Sequence, residues 1–287
     1  MWLQFLINAV SLGSFYALVA LGFSLIFGVT HAFNLAHGEL ILAAGYLAYV
    51  LGESLSLSFF QALPFCVSAL LLAGALLHTL IRRVREPLEL NSLVMTFGIA
   101  LILQHVMFGL FSADYRLIPS PGPPLFFEAA GVIVTRTQVL LVVLSMAATS
   151  AVYLLLHKTF LGKALRATIQ QQEAARLAGI QVERMGFIAF CLGGMLIGLA
   201  GPLFGQTTYL HPAGGMEATL IAIIVTIFAG VGRMRGVLPA AWMLGLVESF
   251  AVWALGVSWR EMVSAVILIA LLLVKPRGLL AQKGAFE

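Results

Sequence analysis

Charge is what this 287-residue chain has least of. Asp, Glu, Lys and Arg make up 10% of the residues, against roughly 25% in an average soluble domain. No charged side chain precedes Glu39, and none occurs over residues 54–81, 90–113, 137–157 or 185–216. Runs of that length exclude an ordinary soluble domain. They also exclude a transmembrane β-barrel, whose strands alternate apolar and polar residues over about 10 positions. Cysteine is scarcer still, with two residues. Cys66 and Cys191 both lie in apolar runs, which points to small buried side chains and to no disulfide or metal framework. No G-x-x-x-x-G-K-[ST] loop occurs, so ATP has no P-loop to bind. H-E-x-x-H and G-x-S-x-G are missing too, and the six histidines are scattered. The sequence thus offers no catalytic residue, no cofactor site and no metal site, and it argues against an intramembrane enzyme.

What is there is hydrophobic: 61% of the chain. A hydrocarbon core about 30 Å thick is crossed by about 20 apolar residues in a helix. On that measure the runs predict helices at 3–29, 40–57, 62–81, 92–111, 138–157, 185–209, 218–231, 237–255 and 261–274. The expected fold is all-α, a polytopic membrane protein of about eight or nine transmembrane helices, and one domain over 1–287. The first run lacks a basic flank and continues well past 15 residues, so it reads as a retained span and not as a signal peptide. The last three candidates have uncharged cores of only about 11 to 15 residues against the roughly 20 needed. Tilted, broken or re-entrant segments are therefore expected there, of the kind transporters use to expose backbone groups at a binding site.

The net charge of +4 does not indicate nucleic acid, because in a membrane protein the placement of Lys and Arg matters more than their sum. Arg82, Arg83 and Arg85 follow the third span. Lys158, Lys163, Arg166, Arg176 and Arg184 lie between the fifth and sixth, Arg233 and Arg235 follow the seventh, and Lys275, Arg277 and Lys283 form the tail. Nine alternating helices put all four groups on one face, which should be cytoplasmic. The N-terminus is then outside and the C-terminus inside. The opposite loops are poorer in basic residues. One of them carries Ser120–Pro124, SPGPP, which cannot be helical.

Between those spans sits one polar island. Residues 163–179 read KALRATIQQQEAARLAG, with good helix formers, apolar positions at helical spacing and Gly179 as a candidate C-cap. One or two short helices lying across the membrane face are expected over about 158–184. Ala174, Ala175 and Ala178 form a small-residue patch suited to a partner's groove. An interfacial helix touching only lipid headgroups is the competing reading. A second polar stretch is Asn34-Leu35-Ala36-His37-Gly38-Glu39. It reads either as a break lining a substrate path or as an ordinary turn. His37-Gly38-Glu39 has an echo in Gly215-Met216-Glu217; each precedes an apolar run, and an Arg-rich turn follows later. An internal repeat and coincidence both account for it. Gly194, Gly198, Gly201 and Gly205 stack along one helix face, for packing within the subunit or for a dimer contact. Pro202 lies in the same run and should kink the helix. Glu248 is an acid inside a span, which faces a cavity, meets a partner or is protonated; a place on the substrate path and a structural hydrogen bond fit it equally.

Two of these stretches carry a resemblance. Glu173-Ala174-Ala175-x-x-x-Gly179, about 100 residues from the C-terminus, resembles the EAA-x-x-x-G motif of ABC-importer permeases. Ser11–Leu51, with its Ser-Leu-Gly-Ser opening and with Asn34, Ala36, His37, Gly38 and Glu39 in an Asn-x-Ala-His-Gly-Glu pattern, is similar to the H-type permease subunit of branched-chain amino-acid ABC importers. The similarity continues through Arg166-Ala167, Ala178-Gly179-Ile180, 194–201 and 245–249. The segment 228–236 departs from the family's Gly-Gly-x-Gly-Ser-type stretch, and a Lys often found near Glu217 is missing. The resemblance implies a multi-pass subunit of the bacterial inner membrane that moves a small polar solute, foremost a branched-chain or other amino acid. It implies ABC ATPase subunits that bind the ATP, a second related permease, a periplasmic solute-binding protein and surrounding lipid as partners, with no nucleic acid. The ATPase-coupling loop would then comprise Lys163, Arg166, Glu173, Ala174, Ala175 and Gly179. The substrate path would comprise Asn34, His37, Gly38, Glu39 and Glu248. A urea- or amide-type permease on the same scaffold, and a stand-alone ion-coupled secondary transporter using Glu39 and Glu248, remain the alternatives.

Overall fold

A computed structural model describes residues 2–84, 88–119, 125–127, 132–230 and 232–274. The chain order is α1 (Trp2–Thr30), α2 (His37–Leu55), α3 (Phe59–Ile81), α4 (Leu88–Phe111), strands β1 (Leu125–Phe127) and β2 (Val132–Val134), α5 (Arg136–Lys158), α6 (Phe160–Gln170), α7 (Gln172–Leu177), α8 (Val182–Thr207), α9 (Gly215–Ala229), α10 (Met234–Leu255) and α11 (Arg260–Val274). Among the described residues six helices are long and apolar enough to cross a membrane: α1, α3, α4, α5, α8 and α10. The nine expected spans all appear, and the polar island becomes two helices, α6 and α7. The strands, which the sequence pattern did not suggest, pair antiparallel, and Gln4 at the start of α1 exchanges two hydrogen bonds with the backbone of Ile133. The Ser120–Pro124 stretch, Arg85 and the basic tail lie outside the described residues.

Of these six, α1 is the most enclosed and α8 the next. They cross where Gly22 meets Gly193. Lipid tails are as apolar as Leu, so helices in a bilayer associate through close packing and hydrogen bonds. The glycines serve that end. Gly194 and Gly198 lie against the backbone of α3 at Leu70 and Cys66, Gly201 against α2, and Gly205 against Ile118 and Leu210. The α8 glycine row is therefore packing within this chain. Cys66 is buried with its thiol toward the Ala44 carbonyl, Cys191 is half-buried, and both are free.

The described members of the four basic groups converge on one end, while Arg116, Arg136 and Arg260 lie toward the other. Arg82 pairs with Glu183 at 3.2 Å, Arg235 stacks on Tyr153, and His157, Arg166, Arg233 and Arg235 line one cleft. Gly28, Gly232 and Ile169 meet at this same end.

Two of the nine spans do not run from face to face. After Thr30 the chain turns back along α1, and the His37 ring bonds the Val19 carbonyl at 3.0 Å. That is about 16 Å short of the end of α1 at 1.5 Å per residue. α2 therefore starts at mid-depth and runs toward the end away from the basic residues. After Thr207, at that opposite end, residues 208–214 turn inward past Gly45 and Gly205, and α9 starts beside Gly38. It runs to the basic end. The re-entrant segment expected among the last three spans is α9; that α2 is its counterpart was not legible.

The result is an inverted repeat. α1 and α8 are the two long pillars, each followed by a re-entrant loop and a helix that begins at mid-depth. α2 packs on α8 and α9 on α1; α3 packs on α8 and α10 on α1; α4 touches α2 and α11 touches α9. The His37-Gly38-Glu39 and Gly215-Met216-Glu217 motifs occupy equivalent places and face each other. Their Arg-rich followers do not correspond, since RMR opens α10 whereas RRVR follows α3. Glu217 lies in the first turn of α9.

Candidate functional site

Three polar arrangements interrupt the apolar body. The first is the junction of the α2 and α9 N-termini. A helix start inside a bilayer leaves amides without partners and no water to supply them. Here two threonines from other helices supply part of what is needed. Thr219 of α9 accepts the Gly38 amide at 2.8 Å, and its own hydroxyl lies 3.3 Å from the Leu35 and Gly215 carbonyls. Thr96 of α4 accepts the Leu35 amide at 3.0 Å and reaches the Phe33 carbonyl at 3.2 Å. Asn34 accepts from the Ala36 amide at 3.1 Å, closing a local turn. The contact between the helix starts is backbone to backbone: a Cβ on Gly38 would fall on the Gly215 carbonyl, and one on Gly215 would fall on the Glu39 carboxyl group.

The junction thus brings together Asn34, His37, Gly38 and Glu39, all expected from the sequence, with Thr96 and Thr219, which were not. Asn34, His37 and Glu39 are buried, and each has one side-chain atom without a hydrogen-bond partner: Asn34 Nδ2, His37 Nδ1 and Glu39 Oε2. The His37 ring packs edge-on against Phe23, centroids 5.5 Å apart. An ordinary surface turn is ruled out for this stretch by its burial.

The second arrangement holds Glu248 apart from that junction. Its carboxylate is 1% exposed and accepts hydrogen bonds from Tyr16 of α1 and from Ser264 of α11. Arg260, also of α11, donates from Nε at 3.2 Å and reaches the Tyr16 hydroxyl at 2.6 Å. A buried acid in a span is costly unless it is paired, and this one is paired and bonded on both oxygens. Arg260 and Ser264 are one helical turn apart and so share a face of α11. Sequence reasoning missed all three partners. The need for a cation near Glu248 was the one available signal, and Arg260 is the nearest in sequence.

The third arrangement is α6 and α7 at the basic end. Thr159 caps α6 by accepting the Gly162 amide at 2.9 Å, and Leu165 and Thr168 face inward. Gln172 at the start of α7 donates to the Val29 carbonyl at 2.8 Å, tying α7 to the end of α1. Gly179, at φ +81°, ends α7 with Ile180 N–H bonding the Ala175 carbonyl and Gly179 N–H bonding that of Arg176. This is the left-handed helix stop that glycine favours. Ala175 is buried and anchors the helix, so it is not part of the outward patch. Lys163, Glu173, Ala174, Arg176 and Ala178 are exposed and Arg166 is half-buried. Leu177 and Phe160 stand out at 91% and 86% exposure. Among the described residues no group of three His, Cys, Asp or Glu side chains is placed to hold a metal ion.

A re-entrant inverted repeat with a tethered helix pair at its basic end is a transporter architecture, and comparison with known proteins agrees. The family model for the branched-chain amino acid transport system / permease component matches residues 5–272. The chain belongs to this family. It is 26% identical to the high-affinity branched-chain amino acid transport system permease protein BraD of Pseudomonas aeruginosa, over 98% of this chain and 96% of BraD. It is 27% identical to the permease protein LivH of Escherichia coli, again over 98% and 96%. A probable LivH of Methanocaldococcus jannaschii is 28% identical over 95% and 90%. Among solved structures, PsaBC from Streptococcus pneumoniae, in complex with Fab, shares the fold: TM-score 0.50, 17% identity, covering 96% of this chain and 93% of that one. The chain is thus a multi-pass, all-α membrane protein of this permease family, matched nearly end to end.

Proposed function

We propose that this chain is the permease subunit of an ABC importer that carries a branched-chain or other amino acid into the cytoplasm. The observation that carries the proposal is the family match over almost the whole chain. Two ATPase subunits would bind the ATP, a second related permease would complete the path, and a periplasmic binding protein would deliver the solute. This chain would hold no cofactor and perform no catalysis. By the positive-inside rule its basic end is cytoplasmic, which puts the N-terminus outside and the C-terminus inside a bacterial inner membrane.

The tethered pair α6–α7 supports a coupling role. Glu173, Ala174 and Gly179, with Lys163 and Arg166, would contact the ATPase, while Leu177 and Phe160 offer it apolar anchors. Ala175 would hold the helix to its own subunit. ATP can shift the conformation only through contacts that differ between two states. A push on α6–α7 has two routes inward: Gln172 bonds the end of α1 just before the 31–36 loop, and Ile169 lies against Gly232 just after α9. Both lead to the helices that meet at Gly38 and Gly215. The Asn34–Glu39 junction would act as the mid-depth gate. Glu248 would brace it indirectly, by fixing α11 to α1 through Arg260 and Tyr16.

The test is purification of the tagged chain from native membranes in gentle detergent, with mass spectrometry of its companions. A P-loop ATPase and a second multi-span protein are expected. A chain that purifies alone at every detergent strength would favour an ion-coupled transporter acting by itself.

A further inference from the structure

The cleft at the basic end holds Arg166, Arg233 and Arg235, with no Asp or Glu among its described lining residues. Its volume of about 530 Å³ lies within the roughly 300–1,000 Å³ of small-molecule sites. α6 forms one wall with Arg166 and Ile169. The turn from α9 into α10 forms another with Gly232, Arg233 and Arg235. Arg166 and Arg235 thus border one space from two walls, with no carboxylate between them. Arg166 Nε is buried and has no hydrogen-bond partner, and a buried donor left unpaired costs free energy, more so in a charged group. α10 begins at this cleft, and its N-cap residue Arg233 makes no side-chain cap. The positive end of a 22-residue helix therefore adds to the field of the arginines. Arg235 is held by stacking on Tyr153, 5.3 Å from the ring centroid, and Tyr153 stacks on His157 at 4.2 Å. Stacking occupies the face of the guanidinium and leaves its edge donors for oxygen.

We infer that this cleft binds the phosphate of an anionic phospholipid, with Arg166 and Arg235 on its oxygens and the start of α10 behind them. The surroundings favour a lipid over a free phosphate. The span α5 ends here and the span α10 begins here, so the cleft lies at the depth of the headgroups. Exposed apolar side chains continue from it along both spans: Tyr153 and Leu154 on α5, Met243 and Val247 on α10. Met243 and Val247 follow Pro239 of the cleft at four-residue steps, which keeps them on its face of α10. Acyl chains would lie along that surface. A zwitterionic headgroup fits poorly, because its ammonium would enter a space bordered by guanidinium groups and no acid. Basic pockets between spans on the cytoplasmic side suit phosphate headgroups for the same reason. The inference goes beyond the importer reading and does not depend on it. Arg166 is the residue shared with the coupling loop. A phosphate held between it and Arg235 would tie α6 to α10 beside the contact of Ile169 with Gly232.

The test is native mass spectrometry of the full chain, with any companions that purify with it, delipidated in gentle detergent. It is titrated with dioleoyl phosphatidylglycerol or dioleoyl phosphatidylcholine. Phosphatidylglycerol should bind saturably and more tightly than phosphatidylcholine. Arg166→Gln and Arg235→Gln should each weaken phosphatidylglycerol about fivefold, the worth of one cation near a lipid surface, and leave phosphatidylcholine unchanged. Arg235→Lys keeps the charge and should bind better than Arg235→Gln. Arg83→Gln removes an exposed cation from the same end but outside the cleft, and should change neither lipid. A lipid-free melting temperature equal to that of the native chain checks that each variant is folded. Inorganic phosphate and ATP in excess should not displace the lipid. Their displacing it, with no preference for phosphatidylglycerol, would assign the cleft to a soluble phosphate and overturn the lipid. Unchanged binding in both Gln variants, or an equal loss in Arg83→Gln, would reduce the effect to general surface charge and overturn the site. An ATPase lost from Arg235→Gln while lipid binding stays native would assign the cleft to a protein partner instead.

Discussion

Gly38 and Gly215 set the distance between the two re-entrant helices. With no room for a Cβ on Gly38, Gly38→Ala must push α9 away or strain both starts. Overpacking of this kind costs about 1–3 kcal/mol, so the variant should melt earlier in detergent than the native chain. Thr219 tests the polar side of the same contact. Thr219→Val keeps the shape and leaves the Gly38 amide unpaired, at about 1–3 kcal/mol for a buried donor. Thr219→Ser keeps the hydroxyl and should restore the native melting temperature. An unchanged melt for Thr219→Val would mean that water or another group satisfies that amide. Asn34, His37, Gly38 and Glu39 stand out in the sequence because they are polar between two apolar runs. Thr96 and Thr219 do not, because a threonine in a span commonly bonds its own helix backbone and carries no mark of a distant partner.

At the scale of the element, α6 and α7 are short helices whose place is set by few contacts: Leu165 and Ala175 inward, Gln172 to Val29, Thr159 and Gly179 at the ends. Glu173→Lys reverses one exposed charge and Gly179→Pro forbids the positive φ and removes an amide that bonds Arg176. Both variants should insert normally and lose uptake by about 5- to 150-fold, the range of typical coupling energies. Transport at the native rate by both would end the coupling role. The composition of 163–179 foretold these helices well, since charge and helical spacing coincide there. The mid-depth start of α2 was hidden, because its 19 residues are apolar enough to pass for a complete span. Depth is set by where the chain re-enters along α1, a tertiary fact with no local signature. Glu248 shows the same limit: its burial was legible, while Arg260 and Ser264 lie beyond a turn that periodicity does not bridge.

For the whole molecule, the inverted repeat places two helix starts of equal depth and opposite direction beside each other. The short motifs at 37–39 and 215–217 were the visible trace of it, too brief to separate from coincidence until α1 and α8, and α3 and α10, were seen in equivalent roles. Orientation can be checked with cysteines. In a chain lacking Cys66 and Cys191, an impermeant maleimide should label Ser54→Cys from outside intact spheroplasts and Lys163→Cys only after permeabilisation; the reverse pattern would invert the assignment. The central claim is that transport is driven by ATP through partner subunits. Its most direct measurement is uptake of labelled leucine into proteoliposomes holding the full complex and binding protein, with ATP supplied to the ATPase side. The account predicts uptake that requires ATP and persists when the proton gradient is collapsed. Uptake without ATP that vanishes with the gradient would contradict it.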